Sequence, residues 1–177
     1  PLSPEDLTAL LTEHLISINT PPQHLITTLA SSARIKTLCT QQNIPFIETP
    51  VGFKYIAPHL EKGKHSKTLC LGVESSGGFS SSTHTLEKCG FLPIIALASI
   101  LETQNCSITT LKKKLDTRYG SLAFHETEYL CGATEKTHLS SFLTNTSKDQ
   151  LAPHFKVRLN SLNQNDGLKL CFDDNSW

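Results

Sequence analysis

The residues of this chain with the clearest chemical potential lie in one short run, Gly72-Val73-Glu74-Ser75-Ser76-Gly77-Gly78. Ionised Glu74 only accepts hydrogen bonds and can take two hydroxyl protons, whereas Ser76 both donates and accepts. The glycines let a backbone approach closely. That combination suits the vicinal hydroxyls of a sugar. Two other motifs fail here. A nucleotide-binding P-loop needs Lys after its second Gly, where Gly78 stands. A nucleophile elbow around Ser75 needs Gly at the position of Val73. From residue types alone, a binding loop and a plain strand-to-helix turn are both open readings.

The elements around this run set its place. Thr68 to Val73 is a continuous apolar segment of the kind buried on both faces of a sheet. Ligands of open α/β sheets sit at the carboxyl ends of such strands, where this run begins. Upstream, Ser3, Pro4, Glu5 and Asp6 form a helix-start signature before the periodic Leu7, Leu10, Leu11 and Leu15. Residues 24–29 read as a strand, and a helix from Ser31 or Ser32 ends at Asn43. A strand follows over 44–48, then a turn at Pro50 to Gly52 and a helix to about Leu60. Beyond a Gly/Ser-rich loop reaching Thr85, residues 89–103 read as an apolar helix. The alternation predicts a three-layer α/β/α domain with a mostly parallel, mixed sheet over residues 1–107. Residues 108–177 read as an incomplete α+β domain. Its elements are a helix over 108–118, a strand near 122–130, a helix near 134–143 and a strand near 155–159. A turn over 163–167 leads to a last strand over 168–172, which turns at Asp173, Asp174 and Asn175. Lys112, Lys113 and Lys114 read as a solvated helix face.

Composition narrows the function classes. Sixteen Lys plus Arg balance sixteen Asp plus Glu over 177 residues. No basic excess is present to neutralise a phosphate backbone, which argues against nucleic acid as a partner. The longest apolar run, Phe91 to Leu101, has about half of the roughly 20 residues that span a bilayer, so no membrane partner is predicted. Six cysteines are scattered without a CxxC and no His pair has ligand spacing, so no metal site or disulfide framework is predicted. Reduced thiols and the lack of a visible signal peptide point to a cytoplasmic protein. His59, His65, His125, His138 and His154 have no constellation around them. There is no Met, and the chain opens on Pro and closes just past a strand, so it reads as an internal piece of a longer protein.

Three segments in order, Thr49-Pro50-Val51-Gly52-Phe53-Lys54-Tyr55-Ile56, Gly72 to Gly78, and His84 to Gly90 (HTLEKCG), resemble the phosphoglucomutase/phosphomannomutase (α-D-phosphohexomutase) family. Its members carry a TPVGFKYI-like segment, a sugar-binding loop such as GGEESGG, and a GHIPEKDG-like segment at those places. The resemblance covers residues 1 to about 105 as the third domain and, more weakly, the remainder as the start of the fourth. It implies interconversion of hexose 1-phosphate and hexose 6-phosphate through a phosphoserine and a glucose 1,6-bisphosphate-type intermediate. Mg²⁺ would be held by an Asp-rich loop in another domain. The partners implied are a hexose phosphate and the remaining domains of the same polypeptide. Carried over residue by residue, Glu74 and Ser76 match the hydroxyl-reading pair, and Gly52, Lys54, His84 and Lys88 match cleft-facing positions. Without the resemblance, Lys54 reads as a solvated helix residue and His84 as a loop or capping histidine. Lys88, near a helix start, is mildly unfavourable there unless an anion binds beside it.

This chain departs from the family pattern at three positions. Ser75 stands where the loop has a second Glu, Leu86 where the third segment has Pro, and Cys89 where it has Asp. Pro93 also enters a helix that members keep free of Pro. The phosphoserine loop, the Asp-rich loop and the RPSGTEP phosphate loop do not occur in these 177 residues. Catalysis by this stretch alone is therefore not expected, and catalytic residues and metal ligands are assigned to none of its side chains. The departures support an alternative, a non-catalytic sugar-phosphate-binding or protein-interaction module derived from the family.

Overall fold

The computed structural model describes residues 2–174, 176 and 177. Two compact units divide the chain, one ending at Leu122 and one starting at Ala123.

The first unit is built as the capping signals dictate. In α1 (Pro4–Ser17), the Ser3 hydroxyl accepts from the Asp6 amide, and the Asp6 carboxylate accepts from the Ser3 amide in a reciprocal capping box. Then follow β1 (His24–Thr28), α2 (Ala33–Gln42), β2 (Phe46–Thr49), α3 (Phe53–Ser66), β3 (Cys70–Val73) and β4 (Phe79–Ser81). The unit closes with α4 (Phe91–Gln104) and α5 (Ile108–Tyr119). Asn43, at φ +54°, ends α2 in the left-handed conformation that Asn tolerates better than most residues.

The sheet has the order β2-β1-β3-β4. β1 runs parallel to both β2 and β3, and β4 is antiparallel to β3. Strand alternation sends Leu25, Leu71 and Val73 into a core with Ile35 and Leu38 of α2, Ile100 of α4 and Leu111 and Leu115 of α5. Ile26 and Cys70 join Phe53, Ile56 and Leu60 of α3 on the other face. The result is the expected three-layer α/β/α arrangement around a mixed, mostly parallel sheet. Gly72 is required where α3 crosses β3, because a Cβ there would overlap the Ile56 side chain.

Three details of this unit differ from the sequence reading. β4 falls inside the expected loop, since three residues flanked by Gly and Ser show no strand pattern. The unit extends past residue 107 to include α5, whose Leu111, Leu115 and Tyr119 are buried in the first core. Lys112 belongs to an ionic cluster instead of a solvated face. Its Nζ lies 2.6 Å from Asp116 and 3.5 Å from Asp6. At the centre of that cluster is Arg34, 1 % exposed, which pairs with Asp6 and with Asp116 at 2.5 Å and donates to the Gly120 carbonyl.

The second unit carries α6 (Ala133–Asn145), α7 (Lys148–Leu151), a single 3₁₀ turn (Ala152–His154), and the antiparallel pair β5 (Leu159–Asn163) and β6 (Lys169–Phe172). The expected helix near 134–143 and the final strand are present. The strand expected near 155–159 starts at Leu159, after the 3₁₀ turn. No strand forms over 122–130, where Phe124, Tyr129 and Leu130 are exposed and alternation finds no core to face. Of the turn expected at 173–175, Asn175 lies outside the described residues. Trp177 is 45 % exposed, with the Lys169 ammonium 4.8 Å from its ring centroid.

All six cysteines are free thiols. No single helix among the described residues is long and apolar enough to cross a membrane.

Candidate functional site

The carboxyl end of the parallel sheet gathers most of the predicted residues. β3 ends at Val73, and the chain turns back into β4 through a tight loop in which the Gly77 amide donates to the Glu74 carbonyl at 3.0 Å. The Glu74 amide in turn donates to the Gly78 carbonyl at 2.8 Å. Gly77 adopts φ +96°, a conformation side chains rarely take. This turn leaves Ser76 exposed at its tip and draws Glu74 inward, where it is only 4 % exposed.

A buried carboxylate needs a partner. Lys88 supplies it, with Nζ 2.7 Å from Oε2 of Glu74. No hydrogen-bond donor among the described residues otherwise satisfies that oxygen. Gly78 makes the pairing possible, since a Cβ there would lie 2.5 Å from Oε2 and 3.0 Å from Cδ of Lys88. The Gly77-Gly78 pair is the sequence signal for this clearance.

Lys88 reaches Glu74 because the segment after β4 is tied back along that strand. The Ser80 hydroxyl donates to the Thr85 carbonyl, and the Cys89 amide donates to the Phe79 carbonyl at 2.8 Å. Phe79 pairs with Val73, so Cys89 sits against the edge strand β4, next to the point where β3 gives way to the Glu74 loop. His84 is exposed, with Nε2 3.2 Å from Sγ of Cys89. Glu74, Lys88, Cys89 and His84 therefore share one corner of the sheet.

Gly52, the N-cap of α3, and Lys54, in its first turn, follow β2 at the same end of the sheet, and β2 stands two strands from β3, about 10 Å at ordinary strand spacing. Gly52 has φ +127° at the start of α3. Lys54 turns onto its neighbour, with Nζ 4.9 Å from the Tyr55 ring centroid, and forms no ion pair with Glu74. Thr49, which the sequence reading did not select, fixes this loop through its hydroxyl, 3.1 Å from the carbonyls of both Thr27 and Pro50.

The corner can therefore accept hydroxyl protons at a shielded carboxylate and offer cations to an anionic group. A divalent ion finds no such gathering. Among the described residues no three His, Cys, Asp or Glu side chains stand together as a ligand set. The Mg²⁺ that the resemblance assigns to another domain does not fit the described residues of this chain.

Comparison with known proteins places this geometry in a lineage. The family profile described as "Phosphoglucomutase/phosphomannomutase, alpha/beta/alpha domain III" matches residues 3–119. Phosphoglucomutase-1 of Homo sapiens is 28 % identical over 132 residues, which cover 72 % of this chain and 23 % of that protein. Human glucose 1,6-bisphosphate synthase is 28 % identical over 112 residues, covering 61 % of this chain and 18 % of its own length. Among solved structures, the parafusin phosphoglucomutase of Paramecium superposes with a TM-score of 0.66 at 18 % identity, covering 99 % of this chain and 33 % of that one. A Thermus thermophilus protein assigned as a phosphomannomutase gives a TM-score of 0.70 at 19 % identity, covering 97 % and 33 %. The chain thus spans about a fifth of these curated relatives and a third of these solved structures. With the three-layer fold and a profile match over two-thirds of its length, the chain belongs to the phosphoglucomutase/phosphomannomutase family, and residues 3–119 are its α/β/α domain III.

Proposed function

We propose that this chain is the sugar-gripping portion of a phosphohexomutase, with the phosphoserine, the metal loop and the second phosphate-binding loop supplied by other domains of the same polypeptide. The observation that carries the reading is the Glu74 carboxylate, buried at the carboxyl end of β3 and held by a single, half-exposed lysine. Such a carboxylate accepts two adjacent hydroxyls whichever end of the sugar faces the reacting serine. This is what two half-reactions through a bisphosphate require. Lys88 is exposed enough to turn from Oε2 toward a phosphate as the hydroxyls arrive. Ser76 at the loop tip adds a donor and acceptor. Gly52 and Lys54 on the β2 side and His84 beside Lys88 line the same end of the sheet. Phosphoryl transfer depends on positioning and charge, and this portion contributes both without a covalent step.

A second reading, a family-derived module that binds sugar phosphates without turning them over, is favoured by one observation. His84 is engaged by Cys89, at a position where other members carry Asp.

The test is Glu74→Gln in the intact polypeptide. An amide offers a donor where an acceptor is needed, and hydrogen bonds to charged groups contribute about 1.5 to 3 kcal/mol. The expected outcome is a loss of about ten- to a hundred-fold in kcat/KM with an unchanged melting temperature. Wild-type kcat/KM in the variant would overturn the assignment. Hexose-phosphate binding without turnover in the wild type would select the second reading.

A further inference from the structure

We propose that Cys89 is a nucleophilic thiol, activated by His84, that undergoes thiol–disulfide exchange with low-molecular-weight disulfides at the carboxyl end of the sheet. Four observations meet at this residue. Nε2 of His84 lies 3.2 Å from Sγ, hydrogen-bonding distance for a thiol and an imidazole. In the tautomer protonated at Nδ1, Nε2 accepts the S–H. The bond from the Cys89 amide to the Phe79 carbonyl anchors the backbone, so the pair is held in place by a strand. Cys89 also directly precedes Gly90, the N-cap of the fourteen-residue α4, so negative charge developing on sulfur lies beside the positive end of that helix dipole. Finally, Cys89 is only partly buried, and its neighbours His84, Lys88 and Gly90 are exposed, so a reactant approaches from solvent.

The exchange balances without any further reagent. As the Cys89 sulfur attacks one sulfur of the disulfide, its proton passes to Nε2 of His84. A new S–S bond forms between Cys89 and that half, and the original S–S bond breaks. The other half leaves as a thiolate and takes the proton from His84. Cys89 is oxidised and the departing half is reduced. The chemistry does not depend on what the sugar-binding corner holds.

The other cysteines supply internal standards. Cys131 is exposed, with no thiol–imidazole contact of this kind, whereas Cys39 is buried and its thiol pushed up to about 12 by that burial. The experiment treats the folded 177-residue chain with glutathione disulfide, quenches in acid at intervals, and reads each cysteine by peptide-resolved mass spectrometry. Cys89 should form its mixed disulfide at least about ten-fold faster than the better-exposed Cys131, a threshold set below the roughly hundred-fold that a positioned base supplies at the least. In His84→Ala the Cys89 rate should fall to that of Cys131 or below, with Cys131 unchanged. A Cys89 rate no greater than that of Cys131, or one indifferent to His84→Ala, overturns the proposal. If Cys39 becomes reactive in the variant, the variant has unfolded, and the wild-type comparison of Cys89 with Cys131 decides the matter.

Discussion

Gly78 is the residue at which the ligand-binding role proposed for the corner can be separated from its fold. Its backbone is not in the glycine-only region, so alanine meets no conformational barrier there. What alanine does meet is the far end of two flexible side chains, Oε2 of Glu74 and the methylenes of Lys88. Both can swing aside toward solvent more cheaply than a strand can move. Gly78→Ala should therefore shift the melting temperature by only a few degrees while driving the carboxylate from the position in which Lys88 holds it. The expected result is at least a several-fold loss of hexose-phosphate affinity in calorimetry on the intact polypeptide. Unchanged affinity would show that the Glu74–Lys88 geometry is incidental to binding. At this scale the sequence was informative about types and silent about pairings. Glu74, Ser76 and the glycines could be picked out because their chemistry is local. The approach of Lys88 depends on how the segment after β4 folds back, and β4 itself left no pattern of alternation to find.

At the scale of elements, the ionic cluster around Arg34 decides where the first unit ends. α1 contributes Asp6, α2 contributes Arg34, and α5 contributes Lys112 and Asp116. A guanidinium with five fixed donors can bridge three helices in this way, which a lysine cannot. The sequence reading placed α5 with the second domain because the change from alternating order to α+β order begins near it. Three lysines in a row also looked like a solvent face. The cluster depends on residues 28 and 82 positions apart along the chain, and no local signal reports such a pairing. By contrast the capping box at Ser3, the Asn43 stop and the apolar β3 were legible, since each is written within a few residues. Arg34→Ala leaves the buried Asp6 with only the partly exposed Lys112 and the Ser3 amide, and breaking a buried pair costs about 3 to 5 kcal/mol. Urea denaturation should register that loss, and hydrogen exchange should show α5 opening first. The pH response separates two carboxylates. Hydrogen bonds from Lys112 and then Arg34 hold Asp116 below the usual range. Its contribution is present above the unfolded value of about 3.9 and is lost as pH falls through the lower folded value. Burial raises Glu5, so its ionisation opposes folding as pH rises from about 4.3 through its raised value. Glu5→Gln should remove that second slope from a stability-against-pH curve and leave the acid limb due to Asp116. A curve with both slopes intact would refute the assignment.

For the whole molecule, the unequal division of the core sets how the chain unfolds. The first unit has buried side chains on both faces of a four-stranded sheet, whereas among the described residues of the second unit only Thr146 and Leu159 are buried. A two-stranded sheet is marginal in water by itself, and β5 is also irregular between Leu159 and Ser161. The edge-to-face contact of Phe155 with Phe172, centroids 5.1 Å apart, is worth about 0.5 to 1.5 kcal/mol beyond its burial, too little to make up the difference. The two units should accordingly differ in cooperativity. Residues 1–122 produced alone should give a single sigmoidal melt, with a midpoint within a few degrees of the main transition of the 177-residue chain. Residues 123–177 produced alone should give no cooperative transition. In the 177-residue chain, amides of Leu159 to Phe172 should exchange much faster than those of Cys70 to Val73, because β3 is flanked by strands on both sides and covered on both faces. The decisive measurement is native-state hydrogen exchange followed along the chain. Equal protection for β3 and β6, or failure of residues 1–122 to fold alone, would mean that the core of the first unit is not self-sufficient.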